Sequence, residues 1–312
     1  MRIGLILPTM GRHASAEEVD AAAATAARLG WSSVWVTDHM LVPPGDEATT
    51  YGSILEALTT LAWIAGRYPS LRLGTSVVVP AMRDAPQLAK ELATIDVLSG
   101  GRLTVGVGVG DRGDATEWDN LGKHDRMASR GAYLDETIAL WRHLWSGNSE
   151  PFEGRFHRLE SFIFDPLPVQ GARLPIWTGG RSDAAVNRAA MLCDGYHASQ
   201  TGPQDLRERW PIIVSRARTA GRPRPALSVR SRVRFDLPAG PVYSLHGSPR
   251  AMIDELLAFD ELGVDELVVV FESSAAGASS DEAMQRFQAQ VVEPYRAALR
   301  ERDDAVRETF SM

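Results

Sequence analysis

A histidine lies at the point in this sequence where proton-transfer chemistry is easiest to build. His39 directly follows a short apolar segment, within Thr37–Asp38–His39–Met40. The unperturbed pKa of a histidine is about 6.5, which suits a group that gives and takes protons near neutral pH. Position alone leaves two interpretations open: a catalytic histidine, or a structural histidine whose hydrogen bonds close one end of the fold.

A glycine-rich segment, Gly106–Val107–Gly108–Val109–Gly110–Asp111–Arg112–Gly113, ends another apolar stretch. Gly108, Gly110 and Gly113 formally match GxGxxG. That dinucleotide-binding fingerprint requires a helix to begin at once and an acidic residue roughly 20 positions later. The following segment, DRGDATEWDNLG, is polar and predicts a loop, so we exclude the fingerprint. The glycines instead predict a strand end where a ligand lies against bare backbone.

A second glycine segment, Thr178–Gly179–Gly180–Arg181, leads directly into a predicted helix. Two glycines, N–H groups at a helix N-terminus and a guanidinium together suit a phosphate group. The alternative is an ordinary connection between a strand and a helix that carries an exposed arginine. Within a barrel we favour the phosphate site.

Small polar residues also interrupt an apolar strand at Gly74–Thr75–Ser76–Val77. One interpretation is a bulge that exposes backbone to a flat ligand. The other is a packing accommodation for a bulky neighbour in the core. These residues taken alone favour the packing explanation.

The elements that position these residues alternate regularly between strand and helix. The predicted strands are residues 2–8, 31–38, 71–80, 102–110, 174–178, 196–199, 227–237 and 266–271, and the predicted helices include residues 53–67 and 126–145. Eight such pairs favour a closed (β/α)8 TIM barrel over an open sheet. Residues 150–173, with three prolines and alternating aromatic and polar residues, predict an inserted hairpin or arm. We expect residues 1–312 to form one domain with its site at the C-terminal strand ends.

Composition excludes several classes of function. The chain has 312 residues, 44% of them hydrophobic, and a formal net charge of −7, which argues against nucleic acid or an anionic membrane as a partner. One cysteine allows no internal disulfide, and no signal peptide or membrane span is evident, so we expect a cytoplasmic protein. The seven histidines lack HxH and HxxxH spacing, which argues against a metal centre.

Several segments together resemble the luciferase-like flavin and deazaflavin oxidoreductases. In chain order they are LGWSSVWVTDH, LRLGTSVVVP, QLAKELATIDVLSGGRLTVGVGVG, EGRFHRLESFIFDPLPVQ, PIWTGGRSDAAVNRAAMLCDGY and GSPRAMIDELLAFDELGVDELVVV. No single segment is decisive, but their order and spacing are specific, and they cover nearly the whole chain.

The resemblance implies a barrel with an inserted arm that binds FMN or the deazaflavin coenzyme F420. The ring would lie over a bulge in the third strand, with a non-proline cis peptide at Ser76–Val77. The implied catalytic residues are His39 and Asp111, the latter where a subgroup of sugar dehydrogenases has a glutamate, and Val109 replaces a threonine of that subgroup. The predicted cofactor-binding residues are Asp38, Ser76, Val77, Gly108, Val109, Gly110, Thr178, Gly179, Gly180 and Arg181.

Redox chemistry on a small organic substrate follows from these expectations. We predict an F420-dependent oxidoreductase that transfers a hydride, with an FMN-dependent monooxygenase using reduced flavin and O2 as the alternative. A flavin-binding barrel without turnover is an alternative of another class, and missing ligand spacing disfavours a metal-dependent hydrolase. The resemblance alone also implies a homodimer. The sequence does not name the substrate.

Overall fold

Eight parallel strands form the centre of the fold. The computed structural model describes residues 1–11, 14–45, 48–110, 113, 115–271 and 280–310, except for the side chains of 303 and 305–310. The strands are β1 (Arg2–Ile6), β2 (Ser33–Val36), β3 (Arg72–Thr75), β4 (Leu103–Val107), β5 (Ile176–Thr178), β6 (Gly195–Ser199), β7 (Ala226–Phe235) and β8 (Glu266–Phe271). Each pairs with the next strand along the chain, and β8 pairs with β1, so the sheet closes. The predicted TIM barrel is confirmed.

Helices connect the strands around the outside of the barrel. They are α1 (Ala16–Arg28), α2 (Ala48–Tyr51), α3 (Ala57–Arg67), α4 (Ala85–Ser99), α5 (Ala115–Asn120), α6 (His124–Met127), α7 (Arg130–Trp145), α8 (Asp183–Met191), α9 (Pro203–Thr219), α10 (Pro249–Glu261), α11 (Ser280–Phe287) and α12 (Glu293–Phe310), with a π-helical segment (Gln288–Val292) before α12. Five of them begin at side-chain caps that accept a hydrogen bond from the N–H three residues later: Ser15, Glu56, Asp84, Ser182 and Ser248. Such caps satisfy N–H groups that have no acceptor within the helix.

Helix α3 begins later than the predicted start at residue 53. The N–H of Leu55 donates to the carbonyl of Thr9 at 2.8 Å, which keeps this stretch extended. The carboxylate of Glu56 accepts a hydrogen bond from the N–H of Thr59 at 2.7 Å and caps the helix there. Helix α3 therefore starts only after the hydrogen bond that ties Leu55 to the segment following β1.

Helix α5 lies within residues 111–122, where the polar sequence predicts a loop, and that prediction is wrong. A six-residue helix forms few internal hydrogen bonds and gives no periodic signal. Two of its side chains, Glu117 and Trp118, are almost completely buried. Their contacts with the rest of the protein therefore stabilise the helix. The dinucleotide fingerprint stays excluded, because the sheet is a closed barrel.

The C-terminal ends of the strands surround an opening that we call the mouth. Aromatic rings fill the barrel interior below it. The imidazole of His197 stacks on Trp35 at 5.0 Å, and the ring of Trp177 lies 5.6 Å from that of Trp35. A Cβ at Gly74 would lie 2.1 Å from the Trp35 ring. The packing interpretation therefore holds for Gly74, whose missing side chain makes room for Trp35.

The inserted arm is a two-stranded antiparallel hairpin between α7 and β5, formed by Phe152–Glu153 and Arg158–Leu159. The carboxylate of Glu136 on α7 accepts hydrogen bonds from the backbone N–H groups of Arg155, Phe156 and His157 at 2.7–2.8 Å. These bonds fix the hairpin turn to the barrel's outer helix. The predicted arm is present where the sequence places it.

Two features of the described residues bear on function. In that part of the chain, no helix is long and apolar enough to cross a membrane. Within the same residues, no group of three His, Cys, Asp or Glu side chains could hold a metal ion.

Cys193 is buried, and burial raises the pKa of its thiol to about 12, so its sulfur is kept in the unreactive thiol form.

Candidate active site

His39 at the end of β2 is held by a carboxylate from α5. Its Nδ1 lies 3.0 Å from Oε2 of Glu117, and its ring stacks on Tyr51 with 4.4 Å between centroids. The side chain of His39 is 18% exposed, whereas that of Glu117 is 1% exposed. The pair therefore presents the histidine to the mouth and keeps the carboxylate behind it.

Glu117 is held in its ionised form by its hydrogen bonds. Burial raises the pKa of this carboxyl, but the hydrogen bond to His39 and those from the N–H groups of Met40 and Leu41 outweigh burial and leave the pKa lowered. An ionised Glu117 can only accept a hydrogen bond, so Nδ1 of His39 carries the proton between them. This orientation makes Nε2 the nitrogen whose protonation changes during proton transfer.

Asp38, next to His39, uses both carboxylate oxygens within the protein. Its Oδ2 accepts from the N–H of Val79 at 3.2 Å and from Nε of Arg83 at 3.1 Å, while its Oδ1 accepts from Nη2 of the same arginine at 2.5 Å. Arg83 also pairs with Glu56 at 2.8 Å. Asp38 therefore ties the end of β2 to the segment that follows β3, and in this geometry it acts through the backbone it holds.

The backbone after β3 forms a bulge beneath the mouth. The Ser76–Val77 peptide bond is cis, as the resemblance implies. The N–H of Ser76 donates to the carbonyl of Val36 on one side, and the N–H of Val78 donates to that of Gly106 on the other. The bulge is thus held between β2 and β4, with Val77 partly exposed at its tip.

Glycines on the neighbouring strand ends make room for this bulge. A Cβ at Gly108 would lie 2.5 Å from Cγ2 of Val77, and one at Gly179 would lie 4.0 Å from its Cγ1 and 3.1 Å from the carbonyl oxygen of His197. The segments of β3, β4 and β5 that the sequence predicts as one site therefore converge on Val77.

Below the bulge, His197 on β6 connects two serines inside the barrel. Its Nε2 lies 2.8 Å from Oγ of Ser76, and its Nδ1 lies 2.6 Å from Oγ of Ser228. Burial, and then the charge of Arg230, lower the pKa of His197 to about 3, so this ring is neutral. Its position makes it a support for the bulge.

Arg230 on β7 reaches the bulge from the opposite side of the barrel. Its Nη1 donates to the carbonyl of Ser76 at 2.8 Å, and its Nη2 donates to Oγ1 of Thr37 at 3.4 Å. The guanidinium is partly buried in the mouth. It therefore contacts both the bulge and the end of the strand that carries His39.

The end of β5 forms a cationic rim around the mouth. The N–H groups of Gly180 and Arg181 donate no hydrogen bond within the part of the chain that the structure describes. Ser182 caps α8 directly after them. Nη1 of Arg209 lies 3.4 Å from the hydroxyl of Tyr196, which donates to the carbonyl of Gly180. Open N–H groups and two arginines in one place are the features a phosphate needs.

The structure brings most of the predicted site residues to one end of the barrel. These are Asp38, His39, Ser76, Val77, Gly108, Val109, Gly110, Gly179, Gly180 and Arg181. Trp177 packs inside the barrel, so strand alternation directs the buried side chain of Thr178 toward the helices. Thr178 therefore offers the mouth only its backbone. Asp111 lies outside the described residues.

Sequence reasoning missed Glu117, Tyr51, His197, Arg209 and Arg230. Glu117 lies on the helix predicted as a loop, so no pattern connects it with His39. Arg230 does leave a signal, because β7 carries arginines at 230, 232 and 234 among mostly apolar residues. Side chains two residues apart share one face of a strand, so the spacing alone predicts a cationic stripe there.

The mouth fits a planar cofactor that carries a phosphate. The bulge offers a surface of backbone and the Val77 side chain, bordered by strand ends that lack Cβ atoms at Gly108 and Gly179. The rim at Gly180 and Arg181 supplies positive charge beside it, together with N–H donors that have no acceptor among the described residues. A flat ring on the bulge and a phosphate at the rim satisfy both features, and FMN and F420 each combine these two parts.

Comparison with known proteins identifies the same architecture. Residues 1–238 match the family model described as luciferase-like monooxygenase. The F420-dependent glucose-6-phosphate dehydrogenase of Kineococcus radiotolerans is 30% identical over 203 residues, which cover 63% of this chain and 58% of the relative. The chain spans 49–64% of the length of the first three such curated relatives.

Solved structures share the fold at low sequence identity. An F420-dependent secondary alcohol dehydrogenase in complex with an F420–acetone adduct superposes with a TM-score of 0.79 at 18% identity, covering 94% of this chain and 98% of that one. The FMN-bound oxygenating constituent of 3,6-diketocamphane monooxygenase from Pseudomonas putida gives a TM-score of 0.71 at 14% identity, with 93% and 98% covered. At these identities the likeness concerns the barrel fold.

Proposed function

The chain belongs to the luciferase-like monooxygenase family, and from that premise we propose that it is an oxidoreductase that uses coenzyme F420 on a small organic substrate. The observation that carries the proposal is the His39–Glu117 pair beside the Ser76–Val77 bulge. A proton carrier next to a surface for a flat ring suits a reaction in which a hydride and a proton leave or reach the substrate together. The relatives named as F420-dependent dehydrogenases support the choice of cofactor.

When bound, F420 supplies the hydride acceptor or donor. The protein's own residues do the rest. Val77 and the strand-end glycines seat the ring, and the rim at Gly180 and Arg181 holds the phosphate. His39 takes a proton from the substrate hydroxyl at Nε2 in the oxidative direction and returns it in the reductive direction. Ionised Glu117 orients the imidazole and stabilises its cationic form, as a buried carboxylate does beside a catalytic histidine.

The predicted acidic residue Asp111 stays a proposal as a second group in acid-base chemistry. Glu117 already supplies a carboxylate to His39, at 3.0 Å from its Nδ1. Asp111 is therefore not needed as the partner of His39. Asp111 lies outside the described residues, and its role in acid-base chemistry rests on the resemblance alone.

An FMN-dependent monooxygenase is the second candidate. The FMN-bound neighbour supports it, because it has the same barrel fold. In that case His39 would still hold or move a proton, and the rim would bind the FMN phosphate. A flavin-binding barrel without turnover is the non-enzymatic alternative, and turnover of a reduced cofactor distinguishes it from both.

We further propose that residues 1–312 form one domain and that the protein is a cytoplasmic homodimer. The support for one domain is that helices up to α12 pack on neighbouring helices of the barrel. The homodimer rests on the family resemblance alone, and the cytoplasm on the lone cysteine and the composition.

A parallel titration of the cofactor-free protein tests this proposal. F420 and FMN are titrated separately and followed by fluorescence. For each cofactor, the same chromophore without its phosphate side chain is titrated in parallel. We expect micromolar binding of F420, weaker binding of FMN, and about tenfold or greater weakening when the phosphate is missing, since a phosphate held by charged donors contributes 1.4 kcal/mol or more. Tighter binding of FMN favours the monooxygenase. Failure of both to bind at micromolar concentration contradicts the cofactor assignment.

A further inference from the structure

Strand β7 places three arginines at alternating positions along one face. They are Arg230, Arg232 and Arg234, and all three are partly buried. Their neighbours Val229 and Val233 belong to the core between the barrel and its helices. Alternation along a strand therefore directs the arginines to the other side, into the barrel and its mouth.

Arg230, the deepest of the three, has only neutral acceptors in the described chain. Its hydrogen bonds go to the backbone carbonyl of Ser76 and the hydroxyl of Thr37. No carboxylate pairs with it among the described residues. A partly buried guanidinium without a counter-charge is costly, because desolvation is not repaid by an ion pair.

The charges around Arg230 add to this imbalance. Burial lowers the pKa of Arg230, Tyr51 raises it, and the nearby Arg232 lowers it again. Two acidic groups of the mouth that the structure describes are paired with other residues, Glu117 with His39 and Asp38 with Arg83. Among the described residues of the mouth, the positive charge of Arg230 therefore has no carboxylate that offsets it.

Geometry connects this charge to the proton carrier. The ring of Tyr51 stacks on His39 at 4.4 Å between centroids, and Tyr51 lies near enough to Arg230 to raise the pKa of its guanidinium. Thr37, an acceptor for Arg230, lies two residues before His39 on the same strand end. A small molecule whose anionic group binds the Arg230 guanidinium would therefore be able to reach His39 with another of its groups.

We propose that Arg230 binds the anionic group, a carboxylate or a phosphate, of a small organic substrate whose reacting hydroxyl or carbonyl lies at His39. This inference rests on the proposed function and adds the substrate's chemical class. A guanidinium presents a planar fork of donors that matches carboxylate and phosphate oxygens. A purely structural arginine would explain the bonds to Ser76 and Thr37 but would leave its charge without a carboxylate partner among the described residues.

The test measures anion binding to the cofactor-loaded protein, in which the cofactor already occupies the rim. Acetate, inorganic phosphate and the neutral acetamide are titrated separately and followed by the absorbance and fluorescence of the bound cofactor. Wild type should bind acetate or phosphate at least about tenfold more tightly than acetamide, because only the anions gain charge-assisted hydrogen bonds.

Three variants assign the binding to its residue. Arg230→Gln should weaken anion binding about ten- to hundredfold while changing cofactor affinity less than about threefold. Arg230→Lys should fall between it and wild type, because it keeps the charge and loses the fork. Arg218→Gln, an exposed arginine on α9, is the matched control and should leave all constants unchanged. If Arg230→Gln fails to fold, the lysine variant carries the comparison.

Three results would overturn the inference. Wild type binding neither anion, or Arg230→Gln binding both as tightly as wild type, removes the anion site. A parallel loss of cofactor and anion affinity in Arg230→Gln assigns the arginine to the cofactor instead. Failure of the proposed function is seen separately, because the cofactor-free protein then binds neither F420 nor FMN, while calorimetric titration of cofactor-free wild type and Arg230→Gln with acetate and phosphate still reports on Arg230.

Discussion

The two sides of the barrel mouth differ in how their charges are balanced. On the β2 side, His39 has Glu117 and Asp38 has Arg83, so each charge has an opposite charge within the chain. On the β7 side, Arg230 bonds to a carbonyl and a hydroxyl and has no carboxylate partner among the described residues. The comparison indicates that the two sides have different roles. The β2 side, whose charges are paired within the protein, positions a proton carrier, and the β7 side receives a negative charge from a ligand.

The largest effect should come from removing the charge of Glu117 on the β2 side. Glu117→Gln keeps the shape of the side chain but removes the charge that orients and stabilises the histidine, so we expect turnover to fall about 10²–10⁴-fold. Cofactor affinity should change little, because Glu117 lies behind His39. The measurement is kcat with saturating cofactor, together with cofactor titration.

Asp119→Asn is the control for that substitution. Asp119 lies on the same helix, is 58% exposed and pairs with His124 on the surface, so its loss should leave turnover unchanged. Equal losses in both variants would mean that α5 matters only as structure, and the catalytic assignment of Glu117 would fail.

The two sides of the mouth meet at the Ser76–Val77 bulge. A smaller effect should follow from placing an additional side-chain atom against this bulge. Gly108→Ala would place a Cβ 2.5 Å from Cγ2 of Val77, whose branched side chain has little freedom to move. We expect the free energy of unfolding to fall by about 1–3 kcal/mol and ring binding to weaken. Urea unfolding and cofactor titration measure the two effects.

Gly66→Ala provides the matched glycine control. Gly66 lies within α3, and a Cβ there would have no atom within 4 Å. This change should stabilise the protein by about 0.5–1 kcal/mol, because alanine favours a helix over glycine. A stable, fully active Gly108→Ala variant would show that the bulge tolerates displacement.

The smallest effect concerns the pH dependence of stability, which should differ between the two sides. His197, near Arg230, has its pKa lowered from 6.5 to about 3, so the unfolded chain takes up a proton first and stability falls as the pH drops below 6.5. Glu117 has a pKa lowered from 4.5, so its contribution is lost only below that pH. The stability linked to His197 is therefore lost at a higher pH than the stability linked to Glu117.

His197→Asn tests this order. Between pH 6.5 and 4.5 the variant should show a flatter decline in the free energy of unfolding, by at most about 1.4 kcal/mol per pH unit. His157, whose pKa is also lowered by burial, accounts for part of the decline that remains. The surface residue His124 provides the control through His124→Asn. An unchanged slope in His197→Asn would mean that the buried ring is not kept neutral.

The sequence predicts the barrel well and only part of the site. Strand and helix order depends on local apolar runs and caps such as Asp84, which are visible in the chain. His39 and the glycines follow from their places at strand ends. Glu117 could not be predicted, because it reaches His39 through a six-residue helix that tertiary contacts stabilise. The meaning of Arg230 depends on what lies across the barrel, which alternation along one strand does not specify.

Replacement of His39 tests the central claim most directly, because the account makes this residue the proton carrier for a bound cofactor. The measurement compares wild type with His39→Asn by cofactor titration and by turnover of the bound cofactor with substrate. We predict cofactor affinity within about threefold of wild type and turnover lower by about 10²–10⁴-fold. Turnover at the wild-type rate in His39→Asn would contradict the account.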